Sequence, residues 1–587
     1  MIVYRSTKQT VSVSHLLARF RADLARYERG GLANHDQAVA LLVDFGEIEA
    51  GVADALSPEM DFDCATLRVF RRTSLLAGRV FCASWRREID EARPLIGELK
   101  RAFDELSLRE LPHSAQLSPP EGYAYYGLYP ETYLEASVNF IQEQRPRRAV
   151  IIGVRGIGAS LSAVVGAALA ECGVEVDSFT VRPRGHPFDR RLELAPELED
   201  RWRSLAGAHF LIVDEGPGLS GSSLTCVARK LSELGVGDER ITFFPSWEPD
   251  GSHFVSGAAR ERWRRHRKNT ASFEQVWIES GRLAQSILSE EGACDEMIDL
   301  SAGAWRKIFC NDETDYPPSQ PQHEQRKYLC RRRGSDEKLW LKFAGLGRYG
   351  GQKLERAEAL AEAGFAPRVF GLKDGFIASE FVQGRPLRRC DVDRRLLGAI
   401  ADYLAHLRKN FPSSAGASRE ELMEMIRINV AEGLGEEWAE KLVKQEGLRA
   451  FAGGASITAI DGRMLPHEWL RVKDGFIKTD GVDHHDDHFF PGPQDIAWDI
   501  AGTCVEFMLN VEQRNYLINR YRALSSDCGA AERLPFFLIA YPAYRLGYAT
   551  LASTTLGAST DAARFKTLAD RYAALLVIAL RNHARHP

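Results

Sequence analysis

The sequence lacks the features that define several protein classes. None of its ten cysteines forms a CxxC pair, so neither a zinc ribbon nor a disulfide scaffold is expected. No apolar run approaches the roughly 20 residues that a membrane-spanning helix needs. The stretch from Met1 to Thr10 is polar and holds no apolar signal core. We therefore expect a cytoplasmic protein with no membrane partner.

An excess of charge of one sign is also lacking. The 587 residues carry 76 basic and 81 acidic side chains, a formal net charge of −5. This balance gives no electrostatic reason to expect nucleic acid as a partner. The 44% of apolar and 27% of charged residues are typical of a soluble globular protein. The length predicts about three or four domains.

Apolar periodicity predicts a helical N-terminal region over residues 1–118. Apolar side chains recur at three- and four-residue steps in Leu16–Tyr27 and again in Ile89–Leu106, which indicates two helices with one buried face each. The segment between them carries three acids that we interpret as a solvated face rather than a site, because carboxylates prefer the surface. These acids are Glu47, Glu49 and Asp54.

The pattern changes to short apolar strands alternating with helices over residues 119–295. Such alternation predicts a parallel sheet covered on both faces. The aromatic segment Glu121–Tyr133 at its start suits either a hood over a base or packing between domains. A polar, proline-rich stretch over residues 310–325 then indicates a linker, and a linker implies separate cores on either side.

The most informative stretch is Phe210–Leu224. An apolar strand delivers Asp214 and Glu215 to its carboxyl end, a Gly- and Ser-rich loop follows, and then a helix begins. Ligands of open α/β sheets bind at this edge. Small residues let backbone N–H groups approach a phosphate, and a helix N-terminus favours an anion. The acid pair suits ribose hydroxyls, or Mg²⁺ held through water.

This stretch resembles the 5-phosphoribosyl 1-diphosphate (PRPP) motif of type I phosphoribosyltransferases. The resemblance implies that Asp214 and Glu215 are catalytic residues that hold the ribose hydroxyls. It implies that an acceptor displaces pyrophosphate from PRPP, with Mg²⁺ on the diphosphate. It also implies that the loop binds the 5-phosphate through Gly218, Ser220, Gly221, Ser222 and Ser223.

Two further segments match the same family. Arg155 and Gly156 follow the first strand, where the family binds pyrophosphate. Val181–Pro187 follows the next strand, where family members carry a flexible catalytic loop. We expect three side chains of that loop to close over the leaving diphosphate, because dense negative charge favours guanidinium. They are Arg182, Arg184 and His186.

Residues 325–387 carry a different set of features. Lys342 stands alone on an apolar strand, a costly place unless its charge is paired. The segment resembles the small lobe of aminoglycoside phosphotransferases and related protein-kinase-like enzymes. The resemblance implies that Lys342 binds ATP phosphates and that Glu358 pairs with it. It also implies that Glu380 and Val382 lie on the adenine side.

Residues 388–587 match the large lobe of the same family. Asp480 follows an apolar hairpin and matches the Mg²⁺-binding aspartate, and Asp499 matches a structural one. Asp461 is the nearest candidate for the catalytic base. The family's catalytic-loop asparagine is absent, and His467 and Glu468 stand near its position.

The run Asp483–His488 invites a separate transition-metal hypothesis. Its six consecutive ligand-type residues lack helical ligand spacing, and no cysteine pair accompanies them. We interpret the run as the loop that flanks Asp480, where it holds Mg²⁺, contacts substrate or is solvated.

The sequence thus predicts a multidomain α/β and α+β protein. Its parts are a helical N-terminal region, a phosphoribosyltransferase-like parallel-sheet domain and a bilobal kinase-like domain. The leading hypothesis is a bifunctional enzyme that uses PRPP and ATP as co-substrates on small molecules related to nucleosides. The alternative is a regulatory protein that senses PRPP or a nucleotide and carries an inactive kinase-like domain. A homodimer is left open.

Overall fold

A computed structural model describes residues 1–4, 8–32, 34–218, 220–288, 294–332, 336–414, 416–443, 457–487 and 491–583. Along these residues the chain forms an N-terminal helical part, a parallel sheet with flanking helices, an antiparallel sheet and a C-terminal helical part. The architecture is therefore mixed α/β. None of the described helices is both long and apolar enough to cross a membrane.

The N-terminal part is a group of helices closed by a short sheet, in which Gln9–Ser12 pairs antiparallel with Ser114–Leu117. The expected apolar faces are confirmed, because Leu16 and Leu99 are fully buried, whereas Ile89 at the start of the last helix is 39% exposed. The helices are Val13–Arg29, His35–Leu56, Ala65–Arg86 and Ile89–Leu106.

The acids of helix His35–Leu56 do not form a solvated face, so that prediction is wrong. Glu47 is 7% exposed and Glu49 is 2% exposed. Glu49 accepts a hydrogen bond from Arg71 Nη1 at 3.0 Å, and Glu47 is paired with Arg348. The basic partners lie on other elements, and surface preference alone does not show where those elements pack.

Five parallel strands form the central sheet of the middle part. Four of them are the apolar runs expected from the sequence, whereas the fifth has only two residues and no apolar run. In spatial order they are Glu175–Val181, Arg148–Val154, His209–Val213, Ile241–Phe244 and Arg267–Lys268. A hairpin of Arg184–His186 and Asp189–Arg191 stands outside the sheet. The flanking helices are Pro130–Gln144, Gly158–Glu171, Pro196–Ser204, Ser222–Glu233 and Gly257–Arg265.

An antiparallel sheet follows, and it begins at Cys294, upstream of residue 325 where the sequence analysis starts the small lobe. Helix Arg348–Glu362 connects its third and fourth strands along the chain. In spatial order the strands are Cys294–Asp299, Lys327–Arg332, Lys338–Phe343, Phe376–Glu380 and Val369–Lys373. Short helical segments near the sheet are Gly122–Tyr126, Glu274–Glu279, Arg282–Leu288 and Arg306–Phe309.

The C-terminal part is mainly helical and has its own apolar core. Its helices are Arg394–Asn410, Arg419–Leu434, Glu436–Val443, Ala497–Glu506, Val511–Ser525, Ala530–Thr555 and Thr560–His583. Two small antiparallel sheets lie among them. One comprises Arg385–Pro386, Trp469–Val472 and Gly475–Lys478, and the other pairs Ile457–Thr458 with Gln494–Asp495.

One apolar core joins the N-terminal helices, one face of the parallel sheet and the antiparallel sheet. The ring centroids of Tyr129 and Phe343 lie 5.9 Å apart, and those of Phe273 and Phe376 lie 6.4 Å apart. The expectation of separate cores is therefore wrong. The proline-rich stretch is itself packed, because Ser319 and Gln320 are each 3% exposed.

The ion pairs of Arg348 join the antiparallel-sheet part to the N-terminal helices, and their removal should destabilise the fold. Arg348 pairs with both Asp44 and Glu47. We expect Arg348→Ala to lower the free energy of unfolding by about 3 kcal/mol, because Glu47 loses its basic partner and Asp44 keeps only the 3.9 Å contact with Arg19. Urea unfolding followed by fluorescence measures this change. Arg394→Ala, which removes an exposed arginine, is the matched control. Equal unfolding midpoints for the two variants would contradict the expectation.

Candidate functional site

A cavity of about 380 Å³ lies between the antiparallel sheet and the C-terminal helices. One wall is the strand that carries Lys342, and the opposite wall includes the hairpin that precedes Asp480. The proline-rich residues 317–320 line a third side, so the stretch interpreted as a linker is part of the site. We call this cavity the cleft.

Lys342 lies inside the cleft and binds two aspartates. Its Nζ is 2.7 Å from Asp480 Oδ1 and 3.0 Å from Asp483 Oδ2. Burial alone would lower the pKa of Lys342, but the two carboxylates outweigh it and raise the pKa. The lysine charge is therefore paired, as its place on an apolar strand requires. The structure thus brings together Lys342 and Asp480, which lie 138 residues apart in the chain.

Glu358 does not pair with Lys342, and that expectation is corrected. Among the described ion pairs none involves Glu358, whose side chain is exposed on helix Arg348–Glu362. The buried face of this helix instead carries Lys353 and Arg356. Lys353 Nζ donates to the Ala124 carbonyl oxygen at 3.0 Å. Helical spacing explains the difference, because a face built on 353, 356, 357 and 360 turns position 358 outward.

Asp461, the expected base, is fully buried beneath the cleft. Its carboxylate accepts a hydrogen bond from the Tyr403 hydroxyl at 2.7 Å, and Lys478 Nζ lies 3.2 Å away. Asp499, the expected structural aspartate, accepts the backbone N–H groups of Asp461 and Gly462 at 2.8 and 2.9 Å. These contacts hold the Asp461 carboxylate in the interior, within 4.8 Å of ligand atoms of Glu468 and His484, and its role as the base stays a prediction.

Glu468 reaches the cleft where Asp461 does not. Its Oε2 is 2.7 Å from Lys478 Nζ, and both residues line the cavity. Burial raises the pKa of Glu468, although Lys478 opposes the shift. The neighbouring His467 also lines the cleft, and burial lowers the pKa of its ring to about 4. The sequence placed both residues near the missing asparagine but did not indicate the lysine that pairs with Glu468.

Two aspartates at the wall of the cleft suit a divalent cation, and the His484 ring lies beside them. Burial would lower the pKa of this ring, but Asp480 and Asp461 raise it to about 9, so the ring is protonated. Ligand atoms of Asp480, Asp483 and His484 lie within 4.8 Å of one another. Burial alone would raise the pKa of Asp480, but Lys342 and then His484 bring it well below the usual range, so its carboxylate is ionised. Two ionised aspartates fit the oxygen preference of Mg²⁺. His488, at the end of the run that suggested a separate metal, lies outside the described residues.

Aromatic side chains gather at the end of the cleft that holds Glu380 and Val382. The rings of Trp340 and Phe381 stack with centroids 6.3 Å apart, and Phe309 lies 5.9 Å from Phe381. Flat apolar walls of this kind suit a purine base. The sequence indicated Glu380 and Val382, but Phe309 was hidden because it lies just before the stretch interpreted as a linker.

The second set of expected site residues lies at the carboxyl edge of the parallel sheet. Asp214 and Glu215 directly follow strand His209–Val213 and are half-buried. Burial raises the pKa of Asp214 to about 7, and burial followed by Asp214 raises the pKa of Glu215 to about 8. The Tyr133 hydroxyl donates to the Asp214 carbonyl oxygen at 2.7 Å and fixes the end of the strand.

The serine loop beside this acid pair is in contact with the neighbouring hairpin. The hydroxyls of Ser220 and Ser222 donate to the Pro187 carbonyl oxygen at 3.0 and 2.6 Å. Gly218 and Gly221 have positive φ angles, of +55° and +63°, and a Cβ at Gly221 would meet the Phe254 ring at 2.5 Å. The helix begins at Ser222 as expected and Ser223 is its second residue, whereas Leu219 lies outside the described residues.

The arginines expected to hold diphosphate bind carboxylates of the N-terminal region instead. Arg155 is 3% exposed and pairs with Asp54 at 2.9 Å and with Asp61. Arg182 pairs with Asp54, and Arg184 lies 3.1 Å from Asp61. Two carboxylates thus pair with three guanidinium groups, and the binding of diphosphate by these arginines stays a prediction. Gly156 beside them has a φ of +119° and open space around it, and His186 is exposed on the hairpin.

The aromatic segment that begins the middle part connects the two sites. Gly122 lies against Glu215, since a Cβ there would stand 3.0 Å from Glu215 Oε1. Three residues further on, the Tyr125 hydroxyl donates to the Asp486 carbonyl oxygen at 2.8 Å, next to the metal-type loop of the cleft. Of the two interpretations left open, packing between domains describes these contacts.

No protein-family model matches the chain, and no curated protein matches it. Solved structures are similar over about half of its length. A choline/ethanolamine kinase family protein from Mesorhizobium loti is 18% identical, with a TM-score of 0.32, over 44% of this chain and 89% of that protein. A choline kinase from Streptococcus pneumoniae is 13% identical, with a TM-score of 0.33, over 51% and 100%. A spectinomycin phosphotransferase solved with ADP and spectinomycin is 9% identical, with a TM-score of 0.36, over 51% and 98%.

The raised pKa values of Asp214 and Glu215 predict a pH-dependent stability. The folded protein keeps protons on these acids that the unfolded chain releases above about pH 4.5, so their contribution to stability falls as the pH rises towards 8. We expect the double variant Asp214→Asn/Glu215→Gln to gain stability relative to the wild type between pH 5 and pH 9. Thermal unfolding across this range measures the difference, with the exposed Glu437→Gln as control. A difference that stays constant with pH would contradict the shifts.

Proposed function

We propose that the cleft transfers the γ-phosphoryl group of ATP to a hydroxyl group of a small molecule. The observation that carries this proposal is the contact of one strand lysine with two loop aspartates, Lys342 with Asp480 and Asp483. A lysine for phosphate oxygens and an aspartate for the metal are the parts that phosphotransfer from ATP needs. The aromatic end of the same cavity would hold the purine base of ATP.

The surrounding fold supports the same assignment. A five-stranded antiparallel sheet carries the lysine on its third strand along the chain, and a helix follows that strand. Asp499 holds the loop of Asp461 by two backbone hydrogen bonds. These features extend the resemblance to the aminoglycoside phosphotransferases beyond single residues.

In the proposed reaction the acceptor hydroxyl oxygen forms a bond to the γ-phosphorus while the bond from phosphorus to the bridging oxygen breaks. ADP leaves, and the hydroxyl proton passes to a base. Lys342 would orient the phosphates, and Asp480 and Asp483 would hold Mg²⁺. When bound, Mg²⁺ offsets the charge of the β- and γ-phosphate oxygens. We assign the base to Glu468, because its carboxylate lines the cleft and Asp461 is buried below it.

The first test of this proposal is binding of Mg·ATP. We expect Lys342→Ala and Asp480→Ala each to weaken Mg·ATP binding by about tenfold to a hundredfold, because each removes a charge-assisted contact to phosphate or metal. Glu468→Gln should keep the affinity and lose turnover. Calorimetry measures the affinity. Lys473→Ala is the matched control, since it removes an exposed lysine from the turn of the hairpin that precedes Asp480.

A wild type that Mg·ATP does not stabilise would contradict the proposal. The regulatory alternative, with an inactive kinase-like domain, would then replace it. Retained affinity in Lys342→Ala would place the phosphates elsewhere in the cleft.

A second candidate function belongs to the parallel sheet, where we propose binding of PRPP or a related ribose phosphate. The observation that favours it is the acid pair at the strand end beside a loop with two left-handed glycines and a helix N-terminus. The ion pairs of Arg155, Arg182 and Arg184 mean that diphosphate would have to displace Asp54 and Asp61. The more specific version of this second proposal is that the site also transfers the phosphoribosyl group of PRPP to an acceptor.

Calorimetry with PRPP and with ribose 5-phosphate tests the second candidate. We expect Asp214→Asn/Glu215→Gln to weaken both ligands by at least tenfold, because each ribose carries the hydroxyls that the acids would hold. Asp200→Asn, an exposed acid of the same part, should leave both affinities unchanged. Unchanged affinities in the double variant would contradict the proposal that Asp214 and Glu215 hold the ribose hydroxyls.

A further inference from the structure

Arg463 lies on the loop between Asp461 and Glu468 and lines the cleft. Its guanidinium carbon stands 5.7 Å from the centroid of the Tyr548 ring. None of the described ion pairs or side-chain hydrogen bonds involves this guanidinium, although the residue is only partly exposed. A half-buried arginine without an acid partner is costly in an empty cavity and favourable when an anion enters.

Arg545 faces the same tyrosine from helix Ala530–Thr555, also at 5.7 Å. It is 4% exposed and lines the cleft. Its Nε donates to the Tyr572 hydroxyl at 3.2 Å and lies 3.9 Å from Glu506 Oε1. Its two terminal nitrogens donate to none of the described residues. Two guanidinium groups therefore flank one ring with donors left unused.

Acids also lie near these arginines. Asp487 and Glu324 line the cleft, and Glu324 is paired with Lys327. Glu506 is the acid that pairs with Arg545, and it is shared with Arg571, whose Nη1 lies 3.3 Å away. It also accepts hydrogen bonds from the Tyr541 and Tyr572 hydroxyls. Arg389 at the rim of the cleft has no ion pair among the described residues. The arginines near Tyr548 thus outnumber the acids Glu506 and Asp487.

We propose that Arg463 and Arg545 bind an anionic group of the acceptor, a phosphomonoester or a carboxylate. That this anion belongs to the phosphate acceptor rests on the proposed phosphotransfer, whereas the anion site itself is argued from the two arginines. Guanidinium donors match the oxygens of both groups and repel a cationic molecule of the same size. The acceptor is therefore a hydroxyl compound that already carries negative charge.

Four probes of similar size test this class by calorimetry: glycerol 3-phosphate, glycerate, glycerol and choline. We expect the two anions to bind at least tenfold more tightly than glycerol or choline. The tighter of the two anions then shows whether the site prefers a phosphate or a carboxylate. Arg463→Ala should weaken the anions at least tenfold, and Arg463→Lys should weaken them less. Arg427→Ala is the control, because it removes an exposed arginine that is paired with Glu424 on its own helix.

The folded state of each variant is checked by circular dichroism before titration. Choline binding tighter than the anions, no anion binding at millimolar concentration, or equal anion affinity in Arg463→Ala would each overturn the anion site. Addition of Mg²⁺ with a non-hydrolysable ATP analogue separates the two proposals. If the analogue fails to bind and Arg463 still governs anion affinity, the phosphotransfer proposal falls and the anion site stands. If the analogue binds and Arg463→Ala changes nothing, the anion site alone falls.

Discussion

Carboxylates on one buried helix hold both candidate sites in place. Helix His35–Leu56 pairs Asp44 and Glu47 with Arg348, at the start of the helix that follows the Lys342 strand. Near its other end, Asp54 pairs with Arg155 and Arg182 beside the parallel sheet. Loss of one partner from a buried ion pair strongly destabilises a fold. These pairs therefore constrain how the N-terminal helices, the parallel sheet and the antiparallel sheet can be arranged.

The same arrangement explains why the two sites adjoin. The segment Gly122–Tyr126 lies against Glu215 at one side and donates to the Asp486 carbonyl through Tyr125 at the other. Lys353, on the helix behind Lys342, binds the Ala124 carbonyl in the middle of this segment. The cleft and the sheet edge therefore share a wall, and neither is a separate module on a flexible linker.

Within the cleft, charge divides the wall into regions with different chemistry. Acids gather around Lys342, where a metal and phosphates would compensate each other. Arginines gather around Tyr548, where the Arg463 guanidinium and the terminal nitrogens of Arg545 donate to none of the described residues. An enzyme that brings two anions together needs fixed cations between and around them, since like charges otherwise repel in a partly buried site.

Sequence reasoning predicted the strands and the strand-end residues well, because apolar runs and small-residue loops are local signals. Lys342 and Asp480 were found by the cost of a lone lysine on a strand and by the hairpin before the aspartate. The predicted pair of Glu358 with Lys342 is wrong, because the rotation of the helix that carries Glu358 depends on packing against Ala124. The ion pair of Arg155 with Asp61 was not predicted, because Asp61 lies 94 residues away along the chain. Arg463 carried no pattern at all, since only the fold places it opposite Arg545.

The central claim is that the cleft, rather than the sheet edge, binds a nucleoside triphosphate. Hydrogen–deuterium exchange with Mg²⁺ and a non-hydrolysable ATP analogue tests it most directly, because protection reports where a ligand orders the backbone. We expect protection of strand Lys338–Phe343 and of residues 476–487, with no change in the loop 216–223. Protection of that loop with none in the cleft would contradict it.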